Sequence, residues 1–224
     1  PKLLVEELVE IVSIDEHATE MDPEACPDVE ELLRLCGSLI RRTDQPVESL
    51  ELAHFTVLEF LEAIKPDDAQ LNRFRLCGGD KVSLTKTCLT YLCLPSFNRP
   101  SLALYLDDFE GYPFFTYASK YLQGYLVELR DEEEDSVHER LQQLFDPHKN
   151  PNFMYFMLEH VRSWYNELAK QDDKWIDEIR SHEFTTLHAA AMLHLGRICA
   201  WLIEQGGDVN QKSALGVPLE LSLI

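Results

Sequence analysis

The segment from residue 184 to residue 224 carries the pattern that most constrains the fold of this chain. It contains Thr-Thr-Leu-His-Ala-Ala-Ala from residue 185, Gly-Gly-Asp-Val-Asn from residue 206 and Gly-Val-Pro-Leu from residue 216. The small side chains at 189–191 allow a first helix to pack closely against a second. The pair Gly206 and Gly207 permits the left-handed turn that ends the second helix. These residues predict a unit of two short helices and the start of another unit.

This segment resembles the ankyrin repeat, whose consensus reads T-P-L-H-x-A-A, then I-V-x-x-L-L and then G-A-D-V-N in about 33 residues. Thr186 replaces the usual proline, and His194-Leu195 replaces the usual Gly-His pair. We expect one full repeat of the capping type and the start of a second, in an array that continues past Ile224. The residues that carry the resemblance are Thr185, Leu187, His188, Ala189, Ala190, Gly206, Asp208, Asn210, Gly216, Pro218 and Leu219.

A metal-binding role and a structural role are both conceivable for His188. Its spacing to Thr185 fits the hydrogen bond by which a side chain satisfies the backbone at the start of a helix. We therefore expect His188 to be structural, and we expect no metal site in the chain.

The N-terminal part, residues 1–64, predicts helix, helix, short hairpin and helix. Apolar residues at helical spacing indicate a helix over 2–12, and Asp28 with Glu31 predicts a capping box that opens the second helix. A polar turn over 41–46 separates Leu39-Ile40 from the alternating stretch at 50–52, and a helix follows from residue 55 to 64. This order is typical of a winged-helix domain. The expected buried stripe of the second helix is Val29, Leu32, Leu33, Cys36 and Leu39.

Residues 50–61, Leu-Glu-Leu-Ala-His-Phe-Thr-Val-Leu-Glu-Phe-Leu, carry a second resemblance. They are similar to the strand-to-helix step of the winged-helix domain that follows the NACHT module in NLR-like (STAND) signalling NTPases. The pattern there is roughly apolar-x-H-[FL]-[ST]-[VF]-x-E-[FY]-[FL], and the closest variant is the fungal NACHT–ankyrin form, also called the GPI inositol-deacylase-type winged helix. Residues 33–39 are similar to the second helix of that domain.

The resemblance implies a role for His54, which stands at the start of the third helix. In the family, this histidine reaches the phosphates of ADP held by the upstream NACHT module and stabilises the resting state. The residues alone leave open a plainer alternative, in which His54 bonds a nearby backbone carbonyl. Glu59, five residues further on, fits an ion pair at the helix surface or between domains better than a general base.

Residues 65–180 predict a helical linker domain between the winged helix at 1–64 and the repeat at 184–224. Helices are expected over 84–93, 115–126 and 153–169, and a capping box of Ser136 with Glu139 opens another that runs to Phe145. Loops are expected at 77–80 and 96–113, and the acidic run at 131–135 fits a solvated linker. The expected fold class is therefore mainly α, with one small hairpin.

Charge argues against nucleic acid and anionic membranes as partners. The chain has 40 acidic and 20 basic residues, for a net charge of −20, and 16 of the acidic residues but only 4 of the basic ones lie within 1–64. Binding phosphates needs clustered Lys and Arg, so a DNA-reading winged helix is not expected. The six cysteines lack paired spacing and no apolar run approaches the roughly 20 residues of a membrane span, which predicts a reduced, cytoplasmic setting.

Motifs for catalysis are absent from the sequence. Residues 78–81, Gly-Gly-Asp-Lys, lack the spacing of a phosphate-binding loop, and no C-x-x-C, H-E-x-x-H or G-x-S-x-G occurs. We expect no enzyme activity and no cofactor, in a segment taken from a longer protein. The expected function is regulation and protein interaction beside an upstream NACHT module that holds ADP or ATP. The alternative is a plain ankyrin adaptor whose N-terminal helices only cap the array.

Overall fold

A computed structural model describes residues 3–14, 20, 25–43, 48–76, 79–97, 111–129, 135–165 and 173–222 of the chain. The fold is mainly helical with one small two-stranded antiparallel sheet, which confirms the expected class. The strands are β1 (Ile40–Thr43) and β2 (Ser49–Leu52). The helices are α1 (Val5–Val12), α2 (Val29–Cys36), α3 (Phe55–Ala63), α4 (Gly79–Leu92), α5 (Pro113–Glu128), α6 (Asp135–Leu144), α7 (Pro151–Tyr165), α8 (Asp173–Arg180), α9 (Thr186–Met192), α10 (Gly196–Glu204) and α11 (Pro218–Leu221).

The first strand begins at Ile40, one residue later than the sequence predicts, and extends further, to Thr43. The polar turn expected from residue 41 is wrong for residues 41–43, which belong to β1. Ile40 lies opposite Leu52, and Arg41 lies opposite Glu51, to which its guanidinium donates a hydrogen bond of 2.8 Å. Cross-strand pairs of opposite charge stabilise such a ladder, which explains why two arginines occupy a strand. Residues 44–47 lie outside the described residues.

Helix α2 departs from two expectations. Asp28 is its N-cap residue, but the carboxylate makes no capping bond, and Glu31 instead faces Arg34 at 3.9 Å. The apolar stripe expected to be buried is at most partly covered, because no residue of α2 is buried and Leu39 is 47% exposed. That expectation is therefore wrong. The physical reason is that, among the described elements, α2 packs chiefly against β1 and a short 3-10 turn, Gly37–Leu39.

Helices α4 to α7 form the aromatic centre of the bundle. The expected loop over 77–80 is wrong at residues 79 and 80, which begin α4, and Ser136 lies within α6 and not at its N-cap. Pro113 is the first residue of α5, a position where its missing N–H is not needed. The expected loop over 96–113 and linker over 131–135 are wrong at Pro113 and Asp135, which are the first residues of α5 and α6. Residues 77–78, 98–110 and 131–134 lie outside the described residues. Fully buried aromatic side chains fill the centre: Tyr91, Phe97, Phe114, Phe115, Phe145, Phe153 and Phe156.

One buried apolar cluster joins the bundle to the C-terminal helices. It runs from Val82 in α4 to Leu221 in α11 and includes Ile179 and Phe184 at the junction. Burying each large apolar side chain stabilises the fold by roughly 1.5–3 kcal/mol, so the junction residues hold the last three helices onto the bundle.

Polar side chains reinforce this packing at helix ends. Asn152 is buried, and its amide donates to the carbonyl oxygens of Leu92 and Leu94, at 2.7 and 2.9 Å, where α4 ends. Lys149 donates to the carbonyl oxygens of Ile179 and Ser181 at the end of α8. A cation is favourable there because the unpaired carbonyls of a helix C-terminus carry partial negative charge.

Candidate functional site

His188 lies at the centre of the C-terminal motif and is fully buried. Its Nδ1 accepts the backbone N–H of Thr185 at 3.0 Å and lies 2.8 Å from the Thr185 hydroxyl. Because a backbone N–H can only donate, Nδ1 is unprotonated, and Nε2–H donates to the carbonyl oxygen of Gln211 at 3.0 Å. The expected bond between residues 185 and 188 is present, and both ring nitrogens are used.

Burial lowers the pKa of His188, while the bond to the Gln211 carbonyl acts in the opposite direction. The ring therefore stays neutral at physiological pH and stacks at 5.5 Å on Phe184, which belongs to the junction with the bundle. The neighbouring Leu187, Ala189 and Ala190 are also buried. This half of the motif is a packing unit with its polar atoms satisfied.

Glycines shape the turns of the motif. Gly206 has φ +95° and Gly216 has φ +119°, which are left-handed conformations that favour glycine. At Gly207, a Cβ would lie 2.9 Å from the carbonyl oxygen of Leu202, so the turn after α10 approaches the helix too closely for a side chain. The expected left-handed turn after the second helix is present at Gly206.

The remaining motif residues lie around a small hairpin turn. Asp208 accepts the backbone N–H of Asn210 at 2.9 Å, and both residues are exposed. Ser213 and Gly216 exchange backbone hydrogen bonds of 3.0 and 3.1 Å ahead of α11. Pro218 begins α11 and is buried, whereas Leu219 is 72% exposed. The described residues therefore leave one apolar side chain of α11 uncovered.

His54 is the N-cap residue of α3 and is exposed. Its Nδ1 accepts the backbone N–H of Thr56 at 3.2 Å, so Nε2 carries the ring proton of the neutral form. The ring lies 4.3 Å from the ring of Phe55. The alternative of a bond to a backbone carbonyl does not describe this contact, since the ring accepts from a backbone N–H. The geometry leaves an N–H donor at the exposed end of a helix.

Helix α3 exposes apolar side chains on several sides. None of its residues is buried, and Phe55, Leu58 and Phe60 are 65%, 39% and 54% exposed. Leu71 and Phe74 in the following turn are also exposed, and this turn is tied to α3 by the N–H of Leu76, which donates to the carbonyl oxygen of Leu61. The polar residues of α3, Thr56, Glu59 and Glu62, share one side at helical spacing, and the other six residues are apolar. An apolar stripe this wide is typical of a helix that packs against a partner.

The buried thiols of Cys88 and Cys93 are poor nucleophiles. Burial raises the pKa of the Cys88 thiol, and it raises the pKa of Cys93 to about 12, so neither thiol ionises readily. Glu59 is an exposed residue of α3. Within the described ranges, no group of three or more His, Cys, Asp or Glu side chains is placed to hold a metal ion. None of the described helices combines the length and the apolar character needed to cross a bilayer.

The described residues thus define a mainly helical chain with two candidate contact regions: α3 with His54, and the C-terminal motif. No family model and no solved structure matches the chain. A similar curated protein is the azaphilone pigments biosynthesis cluster protein L of Monascus ruber, which is 29% identical over 145 residues. The match covers 59% of this chain and 30% of that protein, so the chain spans less than a third of the length of its relative.

Proposed function

We propose that this chain is a non-catalytic regulatory and interaction segment of a cytoplasmic NACHT–ankyrin signalling NTPase. The observation that carries the proposal is His54, an exposed residue whose Nδ1 accepts from Thr56, which leaves Nε2 as the donor at the start of a helix with no buried residue. In the proposed parent protein, an NTPase module covers α3, and Nε2–H of His54 donates to a phosphate oxygen of bound ADP. The bond from the Thr56 N–H fixes the orientation of the imidazole, which positions Nε2 for this contact.

The winged-helix part of the proposal is supported by the order of the first elements. Helices α1 and α2, the hairpin of β1 and β2, and α3 follow one another within residues 5–63. The exposed side chains Phe55 and Phe60 supply the apolar area that a covering module needs. Nucleotide exchange in that module then changes what His54 contacts, which links nucleotide state to the position of α3.

The ankyrin part of the proposal is supported by the hydrogen bonds of His188 and by the two left-handed glycines, Gly206 and Gly216. The exposed Leu219 on α11 offers a surface on which a following repeat can stack. Partner proteins are proposed to bind the array, with no role for nucleic acid or membrane.

The experiment compares variants of residue 54 in the full-length protein. His54→Asn keeps an N-cap residue that accepts from the Thr56 N–H but shortens the side chain and removes Nε2–H. We expect faster release of bound ADP and stronger activation from this variant. His182→Asn, at an exposed histidine outside α3, is the matched control and should leave both unchanged. If ADP release and signalling from His54→Asn equal those of the wild type, the proposed contact is wrong.

The second candidate, an ankyrin adaptor, is favoured by the continuous core. Ile179 and Phe184 pack in one cluster with Leu187 and Leu221, as expected if the bundle caps the array. Nucleotide measurement separates the candidates. Bound ADP or ATP in the purified full-length protein supports the signalling NTPase. Full-length protein that purifies without bound nucleotide supports the adaptor.

A further inference from the structure

Helix α1 connects two parts of the molecule. At its start, Leu4 pairs with Ser49 of β2, and the N–H of Val5 donates to the carbonyl oxygen of Glu48 at 3.3 Å. Further along, α1 packs on α5, and Ile11 lies against the buried cluster of the bundle. The position of the sheet relative to the bundle therefore depends on whether α1 is docked.

Glu10 fixes α1 to the bundle through two hydrogen bonds. Its side chain is 4% exposed, and one carboxylate oxygen accepts the Tyr91 hydroxyl of α4 at 2.7 Å. The other oxygen accepts the backbone N–H of Phe114 at 2.7 Å, in the first turn of α5. This N–H has no partner within its own helix, and the positive end of the helix dipole favours the carboxylate.

The inward face of α1 is mixed, because two buried glutamates, Glu7 and Glu10, lie beside the buried Val5 and the partly buried Ile11. Glu7 accepts the N–H of Leu4 at 2.7 Å, while Val12 is 50% exposed. Neither Glu7 nor Glu10 forms an ion pair with a described residue. With no cation paired to it among the described residues, each of these buried carboxylates loses hydration that its hydrogen bonds replace only in part. Docking of α1 is therefore weaker than apolar packing of the same area.

We propose that α1 is a strap that undocks from the bundle as a unit, with Glu10 as its latch. Undocking separates β2 and the elements that follow it from α4 and α5. This inference goes beyond the function proposed above and does not depend on it, since it concerns contacts within this chain alone. If the NTPase reading also holds, the strap sets how firmly α3 is held to the rest of the molecule.

The strap responds to protons in a defined direction. Burial is the main cause that raises the pKa of Glu7 and of Glu10, and the bonds from Tyr91 and Phe114 oppose it at Glu10. The docked state therefore binds protons more tightly than the undocked state. Docking is strongest below the ordinary glutamate pKa, and that contribution is lost as the pH rises through the raised value. The titratable groups that interact with Glu7 are Glu6 and Tyr117, and the one that interacts with Glu10 is Tyr91. Around these tyrosines lie Cys26 and Tyr112, near Tyr91, and Cys88 and Tyr125, near Tyr117.

The experiment measures amide hydrogen exchange of the whole chain by mass spectrometry. Glu10→Ala leaves the Tyr91 hydroxyl and the Phe114 N–H without their acceptor, and we expect exchange in α1 and β2 to rise roughly 10–100-fold while α7 is unchanged. Tyr91→Phe removes one donor and should give a smaller rise in the same segments. Glu139→Ala, at an exposed glutamate of α6, is the matched control and should change neither segment.

A pH series provides the second readout and uses the conservative variant Glu10→Gln. Protection of α1 in the wild type, corrected for intrinsic exchange, should increase as the pH falls from about 7 to about 5, and this dependence should shrink in Glu10→Gln. The strap is refuted if exchange in α1 rises only together with exchange in α7, which indicates global unfolding. It is also refuted if Glu10→Ala leaves exchange in α1 unchanged.

Discussion

Lys149 and His194 share a backbone conformation that favours glycine, and replacing each by glycine separates backbone strain from side-chain bonding. Their φ angles are +58° and +59°. His194 is exposed in the turn between α9 and α10. Lys149 is half-buried, and its ammonium bonds two carbonyls at 2.5 and 2.7 Å and lies 5.6 Å from the ring centre of Phe184. The same substitution therefore has opposite expected effects at the two sites.

The magnitudes follow from these contacts. Removing Cβ from a left-handed residue relieves about 1–2 kcal/mol, and the greater freedom of glycine in the unfolded chain takes back about 0.5–1 kcal/mol. His194→Gly should thus stabilise by about 0.5–1 kcal/mol. Lys149→Gly gains the same relief but loses two charge-assisted bonds, together about 3 kcal/mol after allowance for partial exposure. We expect a net destabilisation of about 2 kcal/mol.

Urea unfolding followed by circular dichroism measures both variants against the wild type, with equal slopes as the check that the free energies compare. Lys149→Met is the companion variant, because it keeps the strained backbone and removes only the ammonium. It should be the least stable of the three. If Lys149→Gly is as stable as His194→Gly, the bonds from the ammonium to the end of α8 contribute nothing to stability. That result refutes the prediction.

Two further predictions concern buried polar groups. His188→Ala should destabilise by about 3 kcal/mol, because bonds at both ring nitrogens are lost. Burial lowers the pKa of His160 and of His188, so the wild type should lose stability as the pH falls below about 6.5. His188→Ala should lose less stability over the same range, and equal pH profiles of the two proteins contradict this. Asn152→Leu should destabilise by about 2–3 kcal/mol by leaving two carbonyls at the end of α4 unpaired, whereas the exposed Asn210→Leu should stay within about 0.5 kcal/mol in urea unfolding. A neutral Asn152→Leu refutes the capping role.

Features set by local spacing could be predicted from the sequence. The helices α4, α5 and α7 follow apolar residues at helical intervals, and the bond between Thr185 and His188 joins residues three apart. The left-handed turn at Gly206 follows from glycine chemistry. In each case, the energy that selects the structure comes from residues within one or two turns of each other, so the sequence pattern contains it.

Features that depend on distant partners could not be predicted. The arginines of β1 suggest a polar turn, because the strand depends on the pairing of Arg41 with Glu51, which lies in β2. Glutamate is almost never fully buried without a partner, and the partners of Glu10 lie 81 and 104 residues away. The exposure of α3 could not be predicted either, because a largely apolar helix is normally expected to pack within its own chain.

The long separation between Glu10 and Phe114 has a consequence for synthesis on the ribosome. Helix α1 cannot dock until residue 114, which is 104 residues later, has left the exit tunnel. At about 5–20 residues per second, this delay is roughly 5–20 s. During that time, the side chains of Ile11 and Ile14 have no bundle to cover them. The nascent chain therefore presents an apolar segment that chaperones can bind, and codon changes that slow translation between α1 and α5 should lengthen this exposure.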